Sequence, residues 1–229
     1  MLSLVVIVVL SYLVGSIPTS IWIGRWIKGI DIRNYGSGNA GATNTFRILG
    51  WKAGVFVSVI DMSKGYVASQ WISQLGYYFG DIPTVYSGWE TGVMLKIMAG
   101  LFAVIGHMFT LFAGFRGGKG VITAAGMLYA LDPISISIAL ATFFLILFTT
   151  RYVSLASMLA TASYPLINVF MRYVLGYAVD GSLIVISSVT ALIILIKHTS
   201  NIKRLIKGTE PRISSFRPAK GQLNKEDSA

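Results

Sequence analysis

Seven apolar runs, at roughly 2–23, 52–75, 92–113, 119–131, 134–149, 152–174 and 182–196, constrain this chain more than any other feature. A run of about 20 apolar residues can cross a bilayer as a helix. In lipid every backbone N–H and C=O needs an internal partner, so a run of this kind spans as a helix. The charge content agrees. Only 12% of the residues are charged, against about 25% in a soluble domain. The expected fold is all-α, a polytopic membrane protein with about seven transmembrane helices. The fourth and fifth runs are short, and only Asp132-Pro133 separates them. That pair fits a tight turn between two spans or a break in one re-entrant hairpin. The first run lacks a basic start and a small-x-small cleavage site, so it reads as a span rather than a removed leader. Residues 1–212 read as a single membrane domain, and 213–229 as a polar, flexible tail.

Lysine and arginine accumulate in cytoplasmic loops. Segments 24–52, 114–119, 150–152 and 197–229 hold 16 of the 19 basic residues, and the alternate loops 76–91, 132–133 and 175–181 hold none. This bias predicts an N-terminus outside and a C-terminus inside. The net charge of +10 is then mainly a topology signal, with anionic lipid as a further partner. No aromatic stacking platform is interleaved with it, and no nucleic-acid partner is expected. The chain has no cysteine and two histidines, which excludes disulfides, thiolate nucleophiles and cysteine-held metals.

Three polar islands fall on the predicted cytoplasmic side: "YGSGNAGATNTFR" at 35–47, "GHMFTLFAGFRGGKG" at 106–120 and "HTSNIKRLIKGTEP" at 198–211. Glycine-rich backbone can point successive N–H groups into one concavity, a nest for anions. Gly36, Gly38 and Gly41, followed by Thr43 and Asn44, suit such a nest, and a helix starting there adds the positive end of its dipole. Arg47 offers a forked contact to phosphate. The second island repeats the pattern with Gly117, Gly118, Gly120 and Lys119. The third supplies His198, Asn201, Lys203 and Arg204. Together they describe a site for more than one phosphate at the membrane surface.

Simpler readings compete. Gly36-x-Gly38-x-x-Gly41 with Asp61 matches a dinucleotide fingerprint, but no strand precedes it and Asp61 lies in an apolar helical run. "GFRGGKG" is one residue short of a Walker A loop and lacks its Ser/Thr. Single glycines in membrane helices usually serve close packing. Lys203, Lys207 and Arg212 read equally well as anchors at the end of a span. Asp61 and Lys64, at i and i+3, share a helix face. Either they form an internal ion pair, or Asp61 orients Lys64 toward a substrate phosphate.

The stretches "GSGNAGATNTFR", "GHMFTLFAGFRGGKGV" and "SNIKRLIKGTEP" closely resemble, in order and spacing, the three motifs of the bacterial acyl-phosphate-dependent glycerol-3-phosphate acyltransferases, the PlsY family. The likeness runs to about residue 212. It implies a seven-span enzyme of the bacterial plasma membrane with its active site facing the cytoplasm. The reaction it implies moves an acyl group from acyl phosphate to the 1-hydroxyl of glycerol 3-phosphate, giving lysophosphatidic acid and phosphate. The donor would come from a separate phosphate acyltransferase. The resemblance also suggests roles: Ser37, Arg47 and Lys119 on glycerol 3-phosphate, and the 36–44 loop, Asn39 included, with Asn201 near the donor phosphate.

An acyl phosphate is already activated, so direct transfer is expected, with no acyl-enzyme, no cofactor and no metal. The three islands carry one carboxylate, Glu210, which is too few for magnesium or zinc. The acyl tail can enter between spans from the bilayer. His107 and His198 are candidate bases by type, and a substrate phosphate oxygen is a third acceptor. A phosphate or organophosphate transporter is the alternative, and a lipid-binding scaffold a third. A transporter usually shows repeated halves or broken helices facing one another. Here all three polar islands fall on one side and no repeat is seen.

Overall fold

Each of the seven runs is helical in the computed structural model, which describes residues 2–79 and 90–213. Residues 214–229 of the expected tail, and most of the 76–91 loop, lie outside the described residues. The first run forms α1 (Leu2–Gly15) and α2 (Thr19–Lys28). They part at Pro18, whose ring cannot donate and crowds the preceding turn. The first polar island ends in α3 (Ala42–Leu49), and α4 (Trp51–Gln70) leads into a one-turn α5 (Leu75–Phe79). Then come α6 (Thr91–Met108), α7 (Val121–Leu131), α8 (Pro133–Thr150), α9 (Val153–Tyr173), α10 (Gly181–Lys197) and α11 (Thr199–Ile206). Among the described residues there is no strand.

Four stretches are long and apolar enough to cross a membrane unaided: Leu2–Lys28, Thr91–Ala113, Pro133–Thr150 and Val153–Tyr173. Gly181–Lys197 and Thr199–Ile206, bent by 56° at their junction, make a fifth when taken together as one span. The other two are exceptions for physical reasons. Helix α4 carries Lys52, Asp61 and Lys64. Helix α7 has 11 residues and rises only ~16 Å, about half the hydrocarbon core.

Asp132-Pro133 is a tight turn between α7 and α8. The Asp132 carboxylate accepts from Ser135 N at 3.1 Å, and Pro133 occupies the first position of α8. Proline suits that position because its missing donor has no helical partner there.

The helices are packed for a lipid surround. Helix α1 buries Ser3, Ile7, Ser11 and Gly15 along one stripe and exposes Leu2, Val5 and Val9. Helix α8 exposes Phe144, Leu145 and Phe148. Small residues face inward because lipid tails supply no hydrophobic drive between helices, and close backbone approach must do so. Two reciprocal glycine pairs make that approach. A Cβ on Gly65 would strike Thr123 O, and one on Gly126 would strike Met62 O, which locks α4 to α7. Gly15 against Ala103 and Gly106 against Tyr12 do the same for α1 and α6.

Candidate active site

The first island is a loop folded around one side chain. Asn44, 1% exposed, donates from Nδ2 to Ile32 O at 3.0 Å and Tyr35 O at 2.9 Å, and its Oδ1 accepts from Ser37 N at 3.0 Å. Gly36 enters this turn at φ 61°, and a Cβ there would collide with Asn44 Oδ1. The expected nest is partly filled from within. Ser37 N goes to Asn44, Gly38 N to Tyr35 O at 3.1 Å and Gly41 N to Asn39 O at 3.0 Å. Further donors belong to the first turn of α3, whose N-cap Gly41 supplies no side-chain cap, which leaves the leading amides without helical acceptors. Ser37 is exposed, and Asn39 and Thr43 are half-buried beside that turn. Asn44 itself is a scaffold for the loop.

The second island turns back on α6. Gly117 N donates to Met108 O and Gly118 N to His107 O, both at 3.1 Å. These amides satisfy the end of α6 rather than an anion. The glycines are needed for proximity, since a Cβ on Gly118 would collide with the His107 ring and lie 2.7 Å from Ala40 O. Gly120, at φ 83°, starts α7. Arg33 ties the first island to the second. It pairs with Asp31 at 2.7 Å and donates from Nη1 to Ala113 O at 2.8 Å and Arg116 O at 3.2 Å. Sequence reasoning had no role for Arg33.

The third island bends at His198. Its Nδ1 lies 2.8 Å from Ile194 O, so Nδ1 carries the proton and Nε2 is the acceptor. After α11, Gly208 takes φ 69° and the chain reverses, with Thr209 N and Glu210 N both donating to Arg204 O. The reversal returns Glu210 to the helix. Its Oε1 accepts from Asn201 Nδ2 at 2.7 Å and its Oε2 from Arg204 Nε at 2.7 Å. With its amide nitrogen held this way, Asn201 turns its oxygen to accept from the Lys119 ammonium.

One group of side chains therefore gathers from all three islands: Arg47, Lys119, His198, Asn201, Arg204 and Glu210. Burial, reinforced by Arg204, lowers the Lys119 pKa to about 8, partly offset by Glu210. Burial also lowers that of Arg47, against the field of Glu210, though a guanidinium stays charged. Arg47 Nη1 is buried with no hydrogen-bond partner among the described residues. Burial raises the Glu210 pKa, but Ser154, Asn201 and Arg204, hydrogen-bonding to the carboxylate, prevail and hold it below the usual carboxylate range. Glu210 was missing from the sequence-derived site. Its signal was present all the same, as the lone carboxylate of three otherwise basic and neutral islands.

Lys64 and His107 sit elsewhere. Lys64, 3% exposed, donates to Ile17 O at 2.6 Å and to Asp61 at 2.5 Å, and Thr19 Oγ1 donates to Asp61 at 3.0 Å. The helix breaks here at Pro18, and the Ile17 carbonyl accepts from Thr19 N at 3.0 Å as well as from Lys64. Lys64 thus ties α4 to the α1–α2 break. His107 Nδ1 is 3.9 Å from Asp61, beneath Gly118. Asp61, His107, Thr19 and Gly118 line a cavity of about 10 Å³, room for one water and too small for either expected substrate. Lys203 and Lys207 are exposed, and Arg212 stacks on Tyr152 at 4.8 Å. Among the described residues no three His, Asp or Glu side chains converge as metal ligands.

A profile of the glycerol-3-phosphate acyltransferase family matches residues 5–208. A glycerol-3-phosphate acyltransferase of Salinibacter ruber is 47% identical over 227 residues, covering 98% of this chain and 99% of its own. One from Chlorobium phaeobacteroides is 45% identical, covering 93% of this chain and 97% of its own. Among solved structures, PlsY, an integral membrane glycerol 3-phosphate acyltransferase, is similar in its glycerol 3-phosphate form. The TM-score is 0.75 at 37% identity, over 93% of this chain and 96% of that one. Its lysophosphatidic acid form scores 0.73 at 36% identity, over 94% and 97%.

Proposed function

We propose that this chain, which belongs to the glycerol-3-phosphate acyltransferase family, takes its acyl group from an acyl phosphate and passes it directly to the 1-hydroxyl of glycerol 3-phosphate. The chain is an acyltransferase and a multi-pass membrane protein. The observation that carries the donor assignment is the meeting of Arg47, with a buried unpartnered Nη1, and Lys119 beside Asn201. Two strong cations with oriented donors suit two phosphate-bearing substrates. An acyl phosphate also needs no enzyme nucleophile, and the chain has no cysteine.

Arg47, Lys119 and the exposed Ser37 hold the phosphate of glycerol 3-phosphate. Asn201 and the first turn of α3 receive the donor phosphate. The hydroxyl oxygen forms a bond to the acyl carbon, and the acyl carbon's bond to the phosphate oxygen breaks. The hydroxyl proton ends on the departing phosphate, so no residue has to keep it. His198, with Nε2 as acceptor, is placed to relay it. Positioning and electrostatic stabilisation of the developing negative charge supply the catalysis.

In the membrane the chain crosses seven times, N-terminus outside, with the three islands and the site in the cytoplasm of a bacterium. The 16-to-0 basic bias between the two sets of loops supports that orientation. A separate phosphate acyltransferase supplies the donor. Phosphate release by purified protein should require acyl phosphate and glycerol 3-phosphate together. Release that ignores glycerol 3-phosphate would mean hydrolysis instead. For orientation, Cys at exposed Ala178 should react with an impermeant maleimide on intact cells, and Cys at exposed Lys207 only after permeabilisation. The reverse pattern would invert the topology.

A further inference from the structure

Asp61, Lys64 and His107 stand outside the charged cluster, but their side chains form a continuous path toward it. Lys64 donates to Ile17 O at 2.6 Å and to Asp61 Oδ1 at 2.5 Å, and Thr19 Oγ1 donates to the same oxygen at 3.0 Å. The His107 ring comes next. Its Nδ1 is 3.9 Å from Asp61 Oδ1, and its side chain is 10% exposed. The other ring nitrogen, Nε2, fills the space that a Cβ on Gly118 would need, and Ala40 O lies 2.7 Å from the same point. Gly118 is buried, and the next residue is Lys119.

One imidazole is therefore where α4, α6, the first island and the second island meet. Its backbone holds the second island too, since His107 O accepts from Gly118 N at 3.1 Å and would be struck by a Cβ on Gly117. The frame around it is tied at the α1–α2 break. Thr110 Oγ1, on the second island, donates to Ser16 O, the carbonyl next to the one that Lys64 holds. Stability alone gives little reason for a charged pair here, because an apolar pair of similar volume is often as stable as a buried ion pair. A fixed carboxylate beside an imidazole does something an apolar pair cannot: it sets the tautomer and orientation of the ring.

We infer that His107 is a positioning residue for Lys119, with Asp61 as its anchor. Asp61 orients the imidazole. The imidazole and its own carbonyl fix Gly118 against Ala40 of the first island, and Gly118 sets where the adjacent Lys119 ammonium stands beside Asn201. This rests on the acyltransferase reading above, in which Lys119 holds the phosphate of glycerol 3-phosphate. At 3.9 Å, Nδ1 and Asp61 are beyond a direct hydrogen bond. The cavity of about 10 Å³ that both line takes one water, and that water completes the link. Without the ring, the glycine turn relaxes into the space it leaves and carries Lys119 with it. A small displacement suffices, because misplacing a binding group by about 1 Å can cost ~10²-fold in rate.

The test is a double-mutant cycle on kcat/KM for glycerol 3-phosphate, measured with purified protein and an acyl phosphate donor. His107→Ala should lower it roughly tenfold when Lys119 is present. In a Lys119→Ala background, where the positioned group is already gone, the same change should cost less than about twofold. Asp61→Leu combined with Lys64→Met removes the anchor without leaving a lone buried charge. It should give the same pattern, a roughly tenfold loss with Lys119 and less than about twofold without it. If His107→Ala fails to fold, the cycle on this paired variant decides alone. A merely structural role would give equal fold-losses in both backgrounds. Equal losses, or a paired variant with the wild-type kcat/KM, would overturn the inference and leave the acyltransferase reading intact. A wild type that transfers no acyl group to glycerol 3-phosphate would overturn both.

Discussion

The Lys119 ammonium donates to the side-chain oxygen of Asn201, a residue 82 positions further along the chain. The contact exists because Gly117 and Gly118 let the second island fold back on α6 and because Glu210 holds the Asn201 amide nitrogen. If the cluster forms discrete phosphate pockets, Lys119→Ala and Arg47→Ala should each lower kcat/KM by ~10- to ~10²-fold or more, since a buried charge-assisted contact contributes roughly 1.5–3 kcal/mol or more. Exposed Lys207→Ala should stay within about fivefold, a surface charge contributing ~1 kcal/mol at most. Equal modest losses at all three positions would mean general surface electrostatics.

Glu210 acts through its neighbours. Glu210→Ala frees Asn201 and Arg204 together and should cost ~10²-fold in kcat/KM. Glu210→Gln keeps an acceptor but not the charge and should cost ~10-fold. A further readout is the KM for acyl phosphate in Asn201→Ala, alone and combined with Glu210→Gln. Fully additive losses would show that Glu210 does not work by orienting Asn201.

The depressed pKa of Lys119 fixes the sign of one pH effect. The cation is present below about 8 and is lost as pH rises through that value. The kcat/KM for glycerol 3-phosphate, which reports the free enzyme, should therefore fall above about pH 8. Lys119→Arg, charged throughout, should lack that limb even if its overall rate is lower. A wild-type profile flat to well above pH 9 would contradict the assignment.

The buried Asp61–Lys64 pair makes a stability prediction. Asp61→Ala leaves a buried ammonium without its counter-charge and should cost about 3–5 kcal/mol. The double replacement Asp61→Leu with Lys64→Met removes both charges and should recover most of it. Thermal unfolding of the detergent-solubilised protein measures both. A double variant no more stable than the single one would mean that the pair does more than hold α4 to the α1–α2 break.

The helices were legible because an apolar run in lipid has one way to satisfy its backbone, and the Asp132-Pro133 turn was legible too, whereas the break of the first run at Pro18 was not, since 2–23 reads as one span. The islands were legible as chemistry, since glycine, asparagine, arginine and lysine have little reason to cluster between spans. What was not legible was which amides remain free. Ser37, Gly38, Gly41, Gly117 and Gly118 direct their N–H groups at neighbouring protein atoms, and only the folded loops reveal that. Lys64 was recognised as an i,i+3 partner of Asp61, but its second acceptor, Ile17 O, depends on where the first run breaks. Glu210 reaches Asn201 and Arg204 through a reversal at Gly208 that no periodicity announces.

The central claim is direct transfer from acyl phosphate at a site assembled from three distant loops. Its most direct test is a rapid-quench experiment on purified protein. Radiolabelled acyl phosphate is mixed with excess enzyme in EDTA, first alone and then with glycerol 3-phosphate, and the label is followed in protein, lysophosphatidic acid and phosphate. The account predicts no labelled protein, followed by equimolar lysophosphatidic acid and phosphate once glycerol 3-phosphate is present. Label that loads stoichiometrically onto the protein and chases to glycerol 3-phosphate would contradict it, as would a reaction abolished by EDTA and restored by magnesium.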